Sequence, residues 1–328
     1  MSQLYPLKFQ PIFIEKVWGG NRLKQILNKE IPNDKTGESW EISAVEGKLS
    51  VVSNGFLAGN TIEEVIEIYI GDLVGERIFE EFGTVFPLLF KFIDANDVLS
   101  VQVHPDNELA MKKHEAFGKT ELWYVVDSDP DAYIYAGFQK GIKKNDFAEL
   151  ISAGEVKDSL RKENVKKGDV FFIPAGLIHA TGPGVLFAEI QQTSDLTYRV
   201  YDWDRKDNNG KLRELHVEEA LEAIHFHKVN SARVPYKTEP GVANTINKND
   251  YFTINKLVLN DTYTAEYNNL DCFVVFMCLN GNAKLDYGQG GLESIQKGET
   301  VLIPSVLETI KIIPENEVEI VEAYVSEN

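Results

Sequence analysis

The chain has 328 residues, of which 43% are hydrophobic and 26% charged, a composition typical of a soluble globular protein. Its 33 basic and 51 acidic side chains give a formal net charge of −18, which argues against a general nucleic-acid-binding surface, because such a surface needs a basic footprint. No segment approaches the roughly 20 apolar residues of a membrane span. We therefore expect neither nucleic acid nor a membrane as a partner, although a few local Lys and Arg side chains could still bind a small anionic substrate.

The chain has two cysteines, Cys272 and Cys278, and both lie in one apolar run. Their number and spacing fit neither a disulfide scaffold nor a CxxC metal site. Because free cysteine is among the most buried residue types, we predict two buried, reduced thiols. The first residues show no basic or apolar targeting pattern, so we expect a cytoplasmic protein.

The first clear helix signal is the capping box Thr61-Ile-Glu-Glu64, which predicts a helix to about Glu81 with an interruption near Gly71. Alternating and apolar segments after it predict a mostly β chain with helices between the strands. In order, these are strands over 87–104, a helix over 107–116, strands over 121–127 and 132–136, a helical insert over 145–161, short strands over 165–203, a helix over 215–226, a polar connector over 228–245, and strands to the end.

The segment from Ser100 to His104 carries the most informative pattern. Side chains in a strand alternate between faces, so Val101 and Val103 would enter the core. Ser100, Gln102 and His104 would then face one shared space. This arrangement is typical of a strand that lines a binding site.

Two further segments carry side chains that could join Gln102 and His104. Lys119 and Glu121 alternate in the next strand, and His179 follows an Ile-Pro-Ala-Gly turn. A charged Glu121 inside a barrel would be costly without a partner, and a divalent cation supplies one. Two histidines with oxygen ligands suit Zn²⁺ with open positions, although two histidines and one carboxylate also describe a non-haem Fe(II) site.

The other four histidines have structural explanations. His114 lies in a predicted helix, and His216 stands where it could cap the next helix. His225 and His227 would close that helix, where a histidine suits the helix dipole. We do not expect any of these four residues to bind a metal.

The chain also contains an internal repeat. Lys167-Gly-Asp-Val-Phe-Phe-Ile-Pro174 recurs as Lys297-Gly-Glu-Thr-Val-Leu-Ile-Pro304, and an apolar strand pair precedes each copy. This predicts two similar β-barrels in tandem. In this alignment His179 falls opposite Thr309 and Glu121 falls near Cys272, so the second barrel has lost the metal-type residues. We expect residues 1–230 to form the catalytic part and residues 231–328 a second, metal-free barrel.

The residues around these motifs resemble the type I mannose-6-phosphate isomerases, or phosphomannose isomerases, which are zinc enzymes of the cupin superfamily. The matching segments cover most of the chain: Val17-Trp-Gly-Gly20, Gly37-Glu-Ser-Trp-Glu-Ile-Ser43, Pro87 to Lys91, Leu99 to Asp106, Gly118 to Tyr124, Ile173 to Ala180, and Glu189 to Arg199. The stretch between Glu121 and His179 is too short for the helical domain that longer members insert there. The chain is therefore similar to the short bacterial form. The resemblance implies a mainly β fold of two tandem cupin-type (jelly-roll) barrels with additional helices.

The resemblance also implies roles for individual residues. One Zn²⁺ per chain would be held by Gln102, His104, Glu121 and His179. The basic residues of the family's active site correspond to Lys91, Lys119 and Arg199. Ser100, Glu189 and Trp18 correspond to further pocket positions, with Trp18 near the entrance. The implied substrate is a small sugar phosphate, and the chain would act as a monomer or homodimer.

Isomerisation of an aldose phosphate moves a proton between C1 and C2 through an enediol, and these residue types suit that chemistry. Glu189 alternates with Gln191 and could be a general acid or base, or alternatively form a structural ion pair with Arg199 or Arg205. Lys119 shares a strand face with Glu121 and could join proton transfer. Arg199 could hold a phosphate or an enediolate oxygen. The sequence does not determine which group removes the C2 proton.

Two alternatives to an isomerase stay open from the sequence. A metal-dependent cupin dioxygenase would use the same His and Glu residues with Fe(II). A non-catalytic sugar-phosphate-binding cupin would hold a purely structural metal. Lys91, Lys119 and Arg199 argue against the second alternative, because a structural metal site would not need three cations beside it.

Overall fold

The structure is a computed structural model that describes residues 4–206 and 210–326, and most of its regular elements are antiparallel strands. The earlier strands are β1 (Leu7–Lys8), β2 (Ile12–Gly20), β3 (Thr36–Ile42), β4 (Ala44–Val45), β5 (Lys48–Leu49), β6 (Leu88–Ala95), β7 (Val101–Val103), β8 (Glu121–Ser128), β9 (Tyr133–Phe138), β10 (Leu160–Asn164), β11 (Val170–Ile173), β12 (His179–Thr181), β13 (Val185–Gln192) and β14 (Tyr198–Tyr201). The later strands are β15 (Asn244–Lys248), β16 (Thr253–Leu259), β17 (Tyr263–Glu266), β18 (Val274–Asn280), β19 (Asn282–Asp286), β20 (Leu292–Gln296), β21 (Thr300–Ile303), β22 (Thr309–Pro314) and β23 (Val318–Tyr324).

Helices occupy the connections between these strands. They are α1 (Arg22–Leu27), α2 (Ile62–Tyr69), α3 (Gly71–Val74), α4 (Glu76–Phe82), α5 (Asn107–His114), α6 (Lys144–Ala153) and α7 (Val217–Ala223), with a 3₁₀ turn over Val156–Ser159. Among the described residues, none of these helices has the length and apolar character needed to cross a membrane.

The strands form two pairs of facing sheets. A first six-stranded sheet, β11-β8-β13-β6-β3-β2, faces a five-stranded sheet, β10-β9-β12-β7-β14. A second six-stranded sheet, β1-β21-β18-β23-β16-β15, faces a four-stranded sheet, β17-β22-β19-β20. The fold is therefore mainly β, as predicted, and each half is a pair of open, facing sheets.

Apolar side chains fill each space between neighbouring sheets. Trp123 and Phe187 of the first six-stranded sheet pack with Ile134 of the five-stranded sheet. The outer face of the five-stranded sheet packs against α6 and α7. The two six-stranded sheets pack back to back, with Tyr124 and Val275 in one cluster that also takes in residues of α2 to α4. The molecule is thus a stack of four sheets, and both halves contribute to its central core.

The repeat seen in the sequence corresponds to a repeated topology. The order β11-β8-β13-β6-β3 of the first half matches β21-β18-β23-β16-β15, and β10-β9-β12-β7 matches β20-β19-β22-β17. Gly168 and Gly298 take the same turn conformation, with φ of 85° at both positions. Ile173 pairs with Glu121 in the first half, just as Ile303 pairs with Val274 in the second.

The structure corrects the alignment of the repeat after this turn. His179 is fully buried, whereas Thr309 is exposed. Ile310 is the buried residue, and it pairs with Ala265 as His179 pairs with Gln102. The second copy therefore has one more residue between the turn and the inward-facing position. The alignment of Glu121 changes as well, because Val274 rather than Cys272 takes its position in the second half.

The helix predictions are confirmed in part. Thr61 Oγ1 accepts a hydrogen bond from the Glu64 backbone N–H at 3.2 Å. The Glu64 carboxylate in turn accepts one from the Thr61 backbone N–H at 2.8 Å, which completes the capping box. Ile70 and Gly75, both with positive φ, divide this region into α2, α3 and α4, so the interruption near Gly71 is confirmed. Cys272 and Cys278 are both buried, as expected.

Two helix boundaries differ from the prediction. The insert over 145–161 ends as an α-helix at Ala153, because Gly154 adopts the left-handed conformation that terminates helices. Leu160 then pairs with Phe138 in the five-stranded sheet. Helix α7 ends at Ala223, since Ile224 is extended, so His225 and His227 lie beyond the helix rather than closing it.

Candidate active site

The four predicted metal ligands meet between the first six-stranded sheet and the five-stranded sheet. Glu121 begins β8, and His179 at the start of β12 pairs with Gln102 of β7. Glu121 Oε2 lies 3.6 Å from His104 Nε2, and its Oε1 lies 3.5 Å from His179 Nε2. The amide nitrogen of Gln102 is 3.2 Å from His179 Nε2. Strand alternation therefore brings these side chains together as the sequence predicted.

The backbone fixes the orientation of both imidazoles. Nδ1 of His104 lies 2.8 Å from the carbonyl of Leu196, and Nδ1 of His179 lies 2.9 Å from the carbonyl of Leu177. Because a carbonyl only accepts, each Nδ1 carries the hydrogen and each Nε2 turns a lone pair toward Glu121. This is the arrangement in which histidine binds a metal through Nε2.

The protonation states of the cluster also favour metal binding. Burial, together with the charge of Lys119, lowers the pKa of His104 to about 4. Burial likewise lowers the pKa of His179. For Glu121, burial opposes ionisation, but the charge of Lys119 holds its pKa well below the ordinary value. At neutral pH the cluster therefore presents two neutral imidazoles and one carboxylate.

The cluster fits a divalent cation. The ligating atoms of His104, Glu121 and His179 all lie within 4.8 Å of one another. Glu121 is completely buried, yet its Oε1 accepts no hydrogen bond from any residue that the structure describes. A buried carboxylate oxygen without a donor is costly, and here it faces imidazole lone pairs. A bound Zn²⁺ would satisfy all of these atoms at once.

A cavity of about 280 Å³ lies beside this cluster. The predicted residues that line it are Trp18, Lys91, Ser100, Gln102, Lys119, Glu189 and Arg199. Lys119 connects the cavity to the metal cluster, because its Nζ contacts Glu121 and lies 3.2 Å from His104 Nε2. All ten predicted site residues therefore occupy one place in the fold.

Glu189 is held at the cavity wall by two donors. Lys91 Nζ lies 3.1 Å from its Oε1, and Trp123 Nε1 donates to its Oε2 at 2.9 Å. Burial disfavours the ammonium of Lys91, but Glu189 and Glu38 outweigh this effect and raise the pKa of Lys91. Glu189 therefore has a structural ion pair, formed with Lys91 rather than with the arginines considered from the sequence.

Arg199 lines the same cavity, near the guanidinium groups of Arg205 and Arg213. Its Nη1 donates to the Glu214 carbonyl at 2.8 Å, while its Nε has no acceptor among the described residues. Arg205 and Arg213 both bind the carboxylate of Asp202. Burial, and after it the positive charge of Arg213, lowers the pKa of Arg199, against the opposing charge of Asp202.

Sequence reasoning did not assign several lining residues. Glu38 lines the cavity and binds Lys16 at 2.9 Å and Trp40 Nε1 at 2.7 Å. Burial opposes ionisation of Glu38, but Lys16 and Lys91 lower its pKa to about 2. The alternation of Glu38 and Trp40 within one strand could have identified it. Arg213 follows a polar stretch without periodicity, and no sequence signal marked it.

The fold and the cluster define a β-sandwich protein with a buried two-histidine, one-carboxylate metal site beside a cation-lined cavity. A model of the phosphomannose isomerase type I catalytic domain matches residues 6–136, and a model of the mannose-6-phosphate isomerase cupin domain matches residues 243–324. The chain is 36% identical to a mannose-6-phosphate isomerase of Streptococcus mutans, over 93% of this chain and 94% of the relative. It is also 36% identical to mannose-6-phosphate isomerase ManA of Bacillus subtilis, over 94% and 95% of the two chains.

Solved structures show the same relationship. The mannose 6-phosphate isomerase of Bacillus subtilis superposes with a TM-score of 0.87 at 31% identity, covering 98% of this chain and 99% of that one. A phosphomannose isomerase mutant from Salmonella typhimurium shares the fold, with a TM-score of 0.81 at 14% identity over 99% of this chain and all of that one. The chain belongs to the type I phosphomannose isomerase family.

Proposed function

We propose that the chain interconverts mannose 6-phosphate and fructose 6-phosphate through an enediol intermediate, with one Zn²⁺ per chain as cofactor. The observation that carries this proposal is the buried His104–Glu121–His179 cluster beside a cavity lined by lysines, Arg199 and carboxylates. The names of the full-length relatives support the same reaction. A solved relative of the same fold is described as zinc bound.

In this proposal Gln102, His104, Glu121 and His179 hold the zinc ion. When bound, zinc supplies a Lewis acid that stabilises negative charge on a substrate oxygen. Gln102 is neutral, so Glu121 is the one carboxylate of the set. The site thus keeps a net positive charge with the dication, which suits a developing enediolate.

Proton transfer is assigned to Glu189 and Lys119. Glu189 is held at both oxygens by Lys91 and Trp123, which fixes its direction toward the cavity. Lys119 Nζ lies 3.9 Å from Glu189 Oε1, close enough for the two to exchange protons through a substrate hydroxyl. Their ion pairs hold both side chains in position without substrate.

The remaining cavity residues are assigned to substrate binding. Arg199 has an Nε without an acceptor among residues 4–206 and 210–326, and a guanidinium suits the planar oxygens of a phosphate or an enediolate. We assign Lys91 and Ser100 to substrate hydroxyl and phosphate contacts. Trp18, which is buried at the cavity wall, shapes the entrance.

We further propose that each half is a cupin-type jelly-roll barrel, with residues 1–230 as the catalytic part and 231–328 as the metal-free part. The matched strand orders support a duplication. We propose a cytoplasmic enzyme that acts as a monomer or homodimer and binds no nucleic acid, in line with its net charge of −18.

A coupled assay tests the reaction and the metal together. Mannose 6-phosphate is supplied to the purified protein and fructose 6-phosphate is detected, before chelation, after it, and after zinc is restored. We expect turnover that chelation abolishes and zinc recovers. Absence of turnover in protein that holds one zinc per chain would contradict the proposal. The dioxygenase and the non-catalytic binding protein are not favoured by the relatives, and an oxygen-uptake measurement would separate them.

A further inference from the structure

A second cavity lies between the second six-stranded sheet and the four-stranded sheet. Its volume is about 470 Å³. Strand pairing places it where the first half has its active-site cavity. Glu322 pairs with Phe276 and Asn255, as Glu189 pairs with Trp123 and Lys91. Glu322 is therefore the counterpart of Glu189, and Asn255 is the counterpart of Lys91.

The metal ligands have no chemical counterparts in this second cavity. Val274 stands at the position of Glu121, Ile310 at that of His179, and Ala265 at that of Gln102. Val274 and Ile310 are buried in the apolar core between the sheets. The second cavity thus keeps the carboxylate of the first but cannot form the same metal cluster.

Neutral donors hold this second carboxylate. Glu322 is 3% exposed, and it accepts from Tyr267 Oη at 2.5 Å and from Asn255 Nδ2 at 2.6 Å. Thr245 Oγ1 in turn donates to Asn255 Oδ1 at 2.8 Å. Burial raises the pKa of Glu322 above its ordinary value. An amide and hydroxyl groups therefore replace the lysine and indole that hold Glu189.

The lining also indicates what this cavity can bind. In the part of the chain that the structure describes, its one basic lining residue is Lys248, which is exposed, while Glu266 and Glu322 are acidic. A phosphate dianion would find no cluster of cations there. The rings of Tyr263 and Tyr324 line the same space. Hydroxyl, amide and carboxylate groups beside aromatic rings are suited to the hydroxyls and C–H faces of a sugar.

We propose that this second cavity is a binding site for an uncharged monosaccharide, which it holds without turning over. This site is separate from the proposed active site and does not depend on the metal. A charged lysine and a metal in the first half become an asparagine and apolar side chains in the second. The change converts a cavity for a sugar phosphate into one for a neutral sugar.

The test uses the zinc-loaded enzyme with fructose 6-phosphate at saturation, so that the first cavity is filled. Free mannose, fructose and glucose are then titrated one at a time and followed by saturation-transfer NMR. We expect a saturable signal for at least one of these sugars. In Glu322→Gln and in Tyr263→Ala its dissociation constant should rise at least tenfold, while isomerase turnover stays unchanged.

Thr264→Val is the matched control, because Thr264 is exposed on the same strand and does not line the cavity. Its sugar affinity should equal that of the unmodified chain. The proposal is overturned if none of the three sugars gives a saturable signal, or if the signal survives both substitutions. Should Glu322→Gln fail to fold, Tyr263→Ala alone decides, since Tyr263 is partly exposed. Isomerase activity is measured in the same samples, so a failure here is distinct from a failure of the proposed reaction.

Discussion

His179 illustrates how single residues are tuned by their surroundings in this protein. Its imidazole is fully buried, its Nδ1 is engaged by the Leu177 carbonyl, and its Nε2 faces Glu121. Burial keeps it neutral, and the backbone sets its tautomer. Neither effect depends on a bound ion, so the site is preorganised for a cation.

Replacement of His179 by Ala should remove both metal and activity. The substitution deletes one of two imidazole ligands, and we expect zinc affinity to fall by more than about 100-fold. Zinc content by elemental analysis and turnover in the coupled assay measure the two effects. His227→Ala is the control, because His227 is exposed and lies outside the cluster. Full activity in metal-stripped His179→Ala protein would defeat the assignment.

Glu189→Gln separates a role in proton transfer from a role in an ion pair. The amide keeps the shape of the side chain but cannot accept a proton, so kcat should fall by about 100-fold or more with zinc content unchanged. Steady-state kinetics and elemental analysis check this. If Glu189 served only as the partner of Lys91, thermal stability would fall while kcat stayed near its original value.

The buried carboxyl of Asp94 should make the stability of the folded protein depend on pH. Burial raises its pKa to about 6 from 3.8, against the hydrogen bond from the Arg22 N–H. In the unfolded chain the carboxyl loses its proton at lower pH than in the folded protein. Ionisation therefore destabilises the fold increasingly between pH 3.8 and about 6, and by as much as about 3 kcal/mol above that.

Asp94→Asn has no charge to bury at any pH. The melting temperature of this variant, relative to the unmodified chain, should therefore rise from about pH 4 to about pH 6 and then stay constant. Thermal unfolding across this range measures the difference. A difference in melting temperature that does not change with pH would show that the pKa of Asp94 is not raised in the folded protein.

The sequence was most informative for residues whose chemistry conflicts with their position. Glu121 and His179 could be predicted because each interrupts an apolar pattern. Arg213 was not assigned, because a charged residue in a polar stretch has no such contrast, whereas the alternation of Glu38 with Trp40 in a buried strand was a signal that could have been used. The partner of Glu189 also needed the structure, since Lys91 lies on a neighbouring strand and sequence distance does not show that pairing.

At the scale of elements, the duplicated turn offers a matched comparison. Gly168 and Gly298 both have φ of 85°, a conformation that favours glycine. A Cβ at Gly298 would lie 2.2 Å from the Leu27 carbonyl oxygen, whereas the nearest atom to one at Gly168 is 3.7 Å away. The two positions therefore share the backbone strain and differ only in the clash.

Gly298→Ala should destabilise the protein more than Gly168→Ala. Both variants carry the left-handed penalty of about 1–2 kcal/mol, and only the first must also displace the end of α1. We expect a further loss of roughly 1–3 kcal/mol for Gly298→Ala, comparable to overpacking in a core. Thermal unfolding of the two variants side by side measures this, and equal melting temperatures would contradict the role of the clash.

Strands with strong alternation were predicted well, and helix ends were not. The region from β6 to β8 follows the pattern closely. We expected helix α6 to extend to residue 161, because the polar pattern of the sequence continues past Gly154. In the structure, the pairing of Leu160 with Phe138 places this part of the chain in a strand instead. Such a tertiary contact overrides local propensity and has no local signature.

At the scale of the molecule, the two halves depend on one another. The faces of the six-stranded sheets that carry Phe90 and Val275 bury each other in the central core. Neither half could expose this face to water without a large loss of hydrophobic stabilisation. The match of residues 243–324 to a cupin-domain model therefore does not make the second half independent of the first.

A chain that ends at residue 240 should not form a stable monomer. It would lose β15 to β23, and the apolar face of the first six-stranded sheet would be exposed. We expect aggregation on size-exclusion chromatography, with zinc binding much weaker than in the whole chain. A soluble, monomeric and zinc-binding product would contradict the dependence of the halves.

The pairing of β1 with β21 has a consequence for how the protein is made. Leu7 pairs with Leu302, so the second strand of the pair leaves the ribosome long after the first. At a synthesis rate of about 5–20 residues per second, the N-terminal segment waits on the order of 15–60 seconds for its partner. During that interval its backbone groups and the apolar Leu7 are accessible to chaperones or to neighbouring nascent chains. Folding of the second six-stranded sheet is therefore completed only near the end of translation.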